Sequence, residues 1–370
     1  MQELRVVEEQ PPVVAEFNQL FHQQMRHMRL SKYMDWWVSM YKENHVRPVT
    51  LRKYRMDAKW LRLNASKMRL SDVENNRMVL QWLINQYGKN HQKATVLDFK
   101  GHLFAALRSA VDDDLLKKVP LSQIEIHSVE QNWTVEQKNA KRTEVKALDA
   151  SEYRIVKTRL YIDLEDELKQ APIRATKHSK LFKNKANVCV SDQTKLMLLS
   201  VLFHTGCRFS EALGITKEDV HPNSIMINKT WDYKTNTGFQ KTKNDASIRD
   251  VAVDENIIKQ LNNFIAWKQE HFGDAAKTLP LLVEPKTRTY NDTYNHFFKS
   301  LLKKYEIGKD LSVHKIRHTY ISYLLNEGVS AESIARQVGH SDTSMIQKVY
   351  GHLLAERAAE DNLRIRSLLR

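Results

Sequence analysis

The chain has 370 residues, 42% of them hydrophobic, and its 58 Lys and Arg residues against 44 Asp and Glu give a formal net charge of +14. This length allows two ordinary domains, and this hydrophobic content predicts packed cores and excludes a disordered chain. The positive charge is spread over several segments, which favours a polyanionic partner, nucleic acid before an anionic membrane surface.

Short sequence features argue against a protein built on disulfides or a CxxC metal site, a secreted protein and a membrane-spanning protein. Cys189 and Cys207 form neither a CxxC metal spacing nor a disulfide framework, which fits a reducing compartment. The N-terminus MQELRVVEEQPP lacks the basic and apolar segments of a signal peptide. The longest apolar run, residues 196–203, is far shorter than the ~20 residues that span a bilayer. We therefore expect a cytoplasmic, nucleoid-associated protein without a membrane segment.

The N-terminal third of the chain has helical periodicity. Residues 1–30 are expected to be an N-terminal extension or a reduced arm. Residues 31–122 predict a bundle of four helices, because apolar residues recur at i, i+3, i+4 and i+7. Pro48 is expected to interrupt the chain, Thr50 to cap the second helix, and Gly88 to end the third as its C′ residue. The second helix also carries a row of basic residues, either a solvated surface or contacts to DNA phosphates. These candidates are Arg52, Lys53, Arg55, Lys59 and Arg62.

A second domain is expected at 149–370, after a polar linker of mixed charge at 123–148. Asp149 or Ser151 can cap its first helix, and the apolar helix from Asp192 to Phe203 must lie in its core. Alternating residues within 224–253 predict one small antiparallel sheet, with helices on either side. The predicted fold class is therefore mainly α with a small antiparallel sheet: a helical bundle plus an α+β domain.

The last part of the chain lines up ionisable side chains between short helical patterns. A helix predicted over 313–326 carries His314 and Arg317 on one face. His340 follows the next helix, and Tyr350 lies on a further short one. An arginine fork suits phosphate oxygens, and a tyrosine can form a covalent intermediate. An HxxR pair is common, however, and its spacing alone does not establish a catalytic site.

Five segments, taken in order, resemble the tyrosine recombinases, the phage-integrase family. The TGCRFSE segment at 205–211 resembles the motif of that family's first arginine, and HKIR at 314–317 resembles its HxxR. VGH at 338–340 resembles its Leu-Gly-His with Val in place of Leu, and Tyr350 follows where the family has its nucleophile. Residues 242–249 resemble the hairpin that carries the family's lysine.

This resemblance covers the predicted second domain strongly and the helical bundle by its pattern only. It implies that Arg208 and Arg317 clamp the scissile phosphate. Tyr350 would attack that phosphate and leave a 3′-phosphotyrosine and a free 5′-hydroxyl. His314 would assist proton transfer with the tyrosine, and His340 would donate a hydrogen bond to the phosphate. No cofactor is implied.

The general acid of such a reaction is implied to be Lys243, which would protonate the leaving 5′-oxygen. Lys241 is two residues away and remains the alternative. Glu211 is expected to orient an arginine rather than to take part in the chemistry. His318, four residues after His314, could pair with it on a metal ion, but neither an HExxH glutamate nor a third ligand is evident. We therefore predict no metal site.

By resemblance, the chain is a site-specific DNA recombinase or integrase of a mobile element such as a temperate phage, in a bacterial host. It would bind double-stranded DNA core sites as a homo-tetramer, with the tail at 352–370 docked on a neighbouring subunit. Accessory DNA-bending or excision factors remain open, since the family's arm-binding domain is here absent or reduced to a helix. The alternatives are a type IB topoisomerase-like nicking-closing enzyme and a catalytically silent DNA-binding protein.

Overall fold

Two compact units divide the chain, Met1–Glu144 and Val145–Arg370. For 12–19 and 139–142 only the course of the backbone is described. None of the helices in the described ranges combines the length and the apolar character that a membrane span needs. The computed structural model describes residues 12–142, 147–172, 189–234, 238–242, 245–347, 350, 365–367 and 369.

The regular elements that the structure describes in the N-terminal unit are helices. Apolar faces of its second to fifth helices meet in one core around fully buried side chains such as Trp37, Leu61 and Phe99. The predicted four-helix pattern is therefore found, because each of these helices buries the stripe that its periodicity marked. The helices are α1 Pro12–His27, α2 Leu30–Tyr41, α3 Pro48–Asn64, α4 Arg77–Gly88, α5 Lys93–Asp112 and α6 Val135–Arg142.

Two helix boundaries in this unit differ from the predicted ones. Pro48 begins α3 at its first position, with Arg47 as the N-cap, because a proline has no N–H to leave unpaired there and its φ suits the first turn. Thr50 consequently lies inside that turn and is not the cap. Gly88 is the last residue of α4, and a Cβ there would lie 2.0 Å from the carbonyl oxygen of His127. Close backbone approach, not a left-handed turn, explains this glycine.

The C-terminal unit is organised around one buried helix, Asp192–Thr205 (α8). This helix packs against most of the other helices of the unit. Nearly all of its residues are buried, which is why its sequence is a continuous apolar run. Asp149 caps the first helix by accepting a hydrogen bond from the backbone N–H of Glu152, as predicted. The helices are α7 Ala150–Glu167, α8 Asp192–Thr205, α9 Phe209–Ala212, α10 Glu255–Phe272, α11 Asn291–Lys304, α12 Val313–Asn326 and α13 Ala331–Val338.

The strands of this unit form two antiparallel pairs where the sequence predicted one sheet. β1 (Ser224–Ile227) pairs with β4 (Arg249–Ala252), and β2 (Lys229–Trp231) pairs with β3 (Phe239–Lys241). The register of the first pair sets Ile227 opposite Arg249, at the end of the hairpin region. The predicted fold class, mainly α with a small antiparallel sheet, is confirmed.

Candidate active site

Arg208 is placed by the end of the buried helix α8. Gly206 ends that helix in the left-handed conformation (φ 59°), and a Cβ there would lie 2.3 Å from the ring of Tyr320, so only glycine fits. Two residues later, Arg208 donates from Nη1 to Oε1 of Glu211 at 2.7 Å, and its backbone N–H donates to Oε2 at 3.0 Å. The buried glutamate thus fixes the direction of a half-buried guanidinium.

Arg317 lies deeper than Arg208, with 6% of its surface exposed. Its Nη1 donates to the carbonyl oxygen of Gly206 at 2.9 Å, while its buried Nη2 has no hydrogen-bond partner among the described residues. Burial and the nearby charge of Arg208 lower the pKa of this guanidinium to about 10, so it still carries its charge at neutral pH. One donor of a fixed cation is therefore available in the interior of the site.

His340 is delivered to the same place by the end of α13. Gly339 is left-handed (φ 74°) and turns the chain so that the half-buried imidazole faces the arginines. Burial, Arg317 and Arg208 together lower the pKa of His340 to about 4, so the ring is neutral at pH 7. Its Nδ1 is buried, with no hydrogen-bond partner among the residues that the structure describes.

His314 lies at the more exposed edge of the site, on the first turn of α12. Partial burial, Arg317, Lys315 and Arg208 lower the pKa of its imidazole, in that order of size. The charges of Arg208 and Arg317 thus act on both histidines, which places the four predicted side chains Arg208, His314, Arg317 and His340 in one cluster.

Tyr350 joins this cluster as a buried side chain with 6% of its surface exposed. Burial raises the pKa of its phenol, and the charge of Arg317 opposes this rise only in part. The hydroxyl lies 2.6 Å from Nδ1 of His318 and 3.4 Å from the carbonyl oxygen of the same residue. The described hydrogen-bond partner of the tyrosine is therefore His318, and the role of His314 in proton transfer with Tyr350 stays a prediction.

The predicted general acid, Lys243, lies outside the described residues. Its alternative, Lys241, is exposed at the end of β3, opposite Lys229 in the strand register. The choice between the two lysines stays a prediction. Most of the tail at 352–370 also lies outside the described residues.

Arg249 supports the site from behind and was not singled out by the sequence. It is buried and makes three hydrogen bonds: from Nη2 to Oε2 of Glu211 at 3.1 Å, from Nη1 to the carbonyl of Ser247 at 2.9 Å, and from Nε to the carbonyl of Gln337 at 2.8 Å. A Cβ on Gly339 would lie 2.7 Å from its Nη1. This one guanidinium therefore ties the glutamate that holds Arg208 to the turn that precedes His340.

Burial and ion pairing act on the pKa of Glu211 in opposite directions. Desolvation raises it, but the charges of Arg249 and Arg208 and the hydrogen bonds from Arg208 lower it overall. The carboxylate is consequently ionised at neutral pH, with a guanidinium on either side.

Among the described residues, no three His, Cys, Asp or Glu side chains are grouped so that they could share a metal ion.

The basic residues of α3 lie in the N-terminal unit and are all exposed. Three of them pair with carboxylates: Lys53 with Asp98 at 2.7 Å, Arg55 with Glu43 at 2.7 Å and Arg62 with Asp35 at 2.5 Å. Arg52 and Lys59 have no ionic partner within the described part of the chain. The helix thus offers two cations that are not already neutralised by a neighbour, and its contact with DNA stays a prediction.

The fold and the cluster define a helical protein that gathers two arginines, two histidines and a tyrosine, and sequence comparison gives the family. Residues 172–357 match the Phage integrase family, so the chain belongs to it. It is 26% identical over 178 residues to the integrase of Staphylococcus phage L54a, covering 45% of this chain and 49% of that protein. It is 25% identical over 170 residues to the ICEBs1 integrase of Bacillus subtilis, covering 44% and 45%.

A solved structure extends this likeness to most of the chain. The Tn1549 transposon integrase, in complex with transposon right end DNA, aligns with a TM-score of 0.62 at 18% identity, over 91% of this chain and all of that one. At this identity the likeness concerns the fold. The chain spans about half the length of the curated relatives that it matches.

For two residues of the site, His318 and Arg249, the sequence indicates the position but not the contacts. His318 follows His314 by one helical turn, so the shared face was visible but the contact with Tyr350 was not. Arg249 sits in a strand whose residues alternate between buried and exposed, which placed it inward without naming its partners. Both contacts join segments that are distant in the chain.

Proposed function

We propose that the chain is a site-specific DNA recombinase that breaks and rejoins strands through Tyr350. The observation that carries this is a pair of buried nitrogens, Nη2 of Arg317 and Nδ1 of His340, without hydrogen-bond partners among the described residues. Buried polar groups in proteins are almost always hydrogen-bonded. The oxygens of a DNA phosphate would satisfy both nitrogens.

The reaction exchanges one phosphodiester for another. The hydroxyl oxygen of Tyr350 forms a bond to phosphorus as the bond from phosphorus to the 5′-oxygen breaks, which leaves a 3′-phosphotyrosine. Arg208 and Arg317 offset the charge that grows on the phosphate oxygens, and neutral His340 hydrogen-bonds one of them. Lys243 gives a proton to the leaving 5′-oxygen. Since the protein–DNA link keeps the energy of the original bond, rejoining to another 5′-hydroxyl needs no ATP.

The partners that we propose are double-stranded core sites and further copies of the chain. The net charge of +14 favours the first, and the matched relatives are integrases of a phage and of the element ICEBs1. We place the protein on the nucleoid, in the cytoplasm of a bacterial host that carries a mobile element. We propose that the active assembly is a tetramer held by the tail at 352–370, and accessory DNA-bending or excision factors remain open.

A covalent trap tests the reaction. Duplexes that the wild-type protein selects from a random-sequence pool are rebuilt with a nick beside the cleavage point, so that the short fragment with the 5′-hydroxyl diffuses away. The wild type should then accumulate an adduct at the 3′ end on a denaturing gel, and Tyr350→Phe should bind the same DNA without forming it. No adduct on any selected duplex would overturn the proposal and leave a silent DNA-binding protein.

Strand exchange separates recombination from nicking and closing. Two duplexes of different length that carry the same selected site are incubated with the protein, and recombinant lengths are expected on a gel. A type IB topoisomerase-like enzyme would relax supercoiled plasmid without producing them.

A truncation tests the assembly. Removal of the residues after 356 should weaken cooperative binding to paired sites in gel shifts while single-site binding is kept. Unchanged cooperativity would refute docking by the tail.

A further inference from the structure

The immediate environment of the Tyr350 hydroxyl identifies a group that the family resemblance did not assign. The nearest described nitrogen is Nδ1 of His318, at 2.6 Å. The other described contact is the carbonyl oxygen of His318, at 3.4 Å, and a carbonyl does not take a proton from a phenol. The side chain of His318 is therefore the one basic group in hydrogen-bond contact with the tyrosine among the described residues.

The chemistry of the attack calls for such a group. A phenol has a pKa of about 10 in water, and burial raises the pKa of Tyr350 above that value. At neutral pH the hydroxyl therefore keeps its proton until the bond to phosphorus forms, and the proton must then have an acceptor within hydrogen-bond reach. Arg317 and Arg208 carry no acceptor atom, so they stabilise the phosphate but cannot take the proton.

A second histidine lies beside His318 on α12. The ring of His314, one helical turn earlier, stands 5.6 Å from that of His318 between centroids, nearly at right angles to it. His314 is exposed, whereas His318 is half-buried and its ring centroid lies 6.1 Å from that of Tyr350. Among the described charged groups, Arg317 acts on the tyrosine, and Arg317, Lys315 and Arg208 act on His314.

The geometry points to His318 as a catalytic residue, the proton acceptor of the nucleophile in the cleavage step. This inference rests on the proposed function. As the oxygen of Tyr350 bonds to phosphorus, its proton moves to Nδ1 of His318, and the bond to the 5′-oxygen breaks. For this step the imidazole must be neutral, with its hydrogen on Nε2, and it becomes imidazolium. It returns the same proton to the phenol oxygen when a 5′-hydroxyl reforms the DNA strand.

One substitution distinguishes this role from that of a residue that only holds the tyrosine in place. In His318→Asn, the amide oxygen can accept the hydrogen bond near the position of Nδ1, but it cannot take the proton. Single-turnover adduct formation is measured on the trapped duplex with the full-length protein. General-base catalysis contributes at least about 10²-fold, so the variant should be slower by that factor at pH 7. A rate equal to that of the wild type would show a holding role and overturn the inference.

Two further measurements guard against a variant that is merely misfolded. The wild-type rate should rise as the imidazole loses its proton and then level off, and this limb should be missing from the pH profile of His318→Asn. Added imidazole should restore part of the rate to His318→Ala, which a structural loss would not allow. If neither the limb nor the rescue is seen, His318 does not take the proton.

The control is His296→Asn. His296 is exposed on α11, with no hydrogen-bond or ionic partner among the described residues, and this variant should cleave at the wild-type rate. Failure of the inference and failure of the proposed function are distinguishable. If the wild type forms no adduct, the proposed function fails. If the wild type and His318→Asn form it equally fast, only the role of His318 fails.

Discussion

The substitution Arg249→Met tests how much the buried guanidinium behind the site contributes to the free energy of unfolding of the C-terminal unit. It removes a donor from Glu211, which is 1% exposed, and leaves the carbonyl groups of Ser247 and Gln337 without their described donor. Removal of one partner of a buried ion pair costs about 3–5 kcal/mol. The bonds from Arg208 to the glutamate remain, so we expect a loss near 3 kcal/mol.

Hydrogen–deuterium exchange read by mass spectrometry measures this loss in the full chain. The amides of α8 lie in the centre of the C-terminal unit and open only when that unit unfolds, so they report its free energy of unfolding without a two-state assumption for the whole protein. Arg154→Met is the matched control, because Arg154 pairs with Glu327 at the surface with 59% of its side chain exposed. A surface pair contributes about 0–1 kcal/mol.

The double variant Glu211→Gln/Arg249→Met identifies the cause of the loss. It removes the charge that Arg249→Met leaves partly unpaired, so the two substitutions together should cost less than their sum by about 0.5–3 kcal/mol. Two results would refute the reasoning: an Arg249→Met variant within about 1 kcal/mol of the wild type, or strict additivity.

Three further outcomes are expected. Lys243→Ala should slow adduct formation. A duplex with a bridging 5′-sulfur, which leaves without protonation, should restore the rate of this variant. If Lys241→Ala shows this pattern instead, Lys241 is the general acid. Burial lowers the pKa of His204 from 6.5 to about 4. The free energy of unfolding should therefore be highest above pH 6.5 and fall by up to about 3 kcal/mol as the pH drops towards 4. In urea titrations, His204→Gln should flatten this pH dependence. Arg52→Gln should reduce the slope of log DNA affinity against log salt by about 1. Arg55→Gln, which removes an already paired cation, should change this slope less. If the slope of Arg52→Gln equals that of the wild type, α3 does not contact the DNA.

The sequence by itself determined those features that depend on neighbours in the chain. The cap at Asp149 and the apolar run of α8 follow from local periodicity and local hydrogen bonds. The order of Arg208, His314, Arg317, His340 and Tyr350 was also visible in the chain, and the structure gathers these residues in one cluster. The start of α3 was missed, because a proline can either interrupt a chain or open a helix.

Only the tertiary structure decided which groups touch. The hydroxyl of Tyr350 meets His318, 32 residues away, and Arg249 joins Glu211, 38 residues away, to Gln337, 88 residues away. The strands form two pairs and not one sheet, which depends on packing and not on alternation. Periodicity records which face of an element is buried, but the partner on that face is set by how the helices and strands pack together. Such contacts couple segments far apart in the chain, and a local pattern carries no record of them.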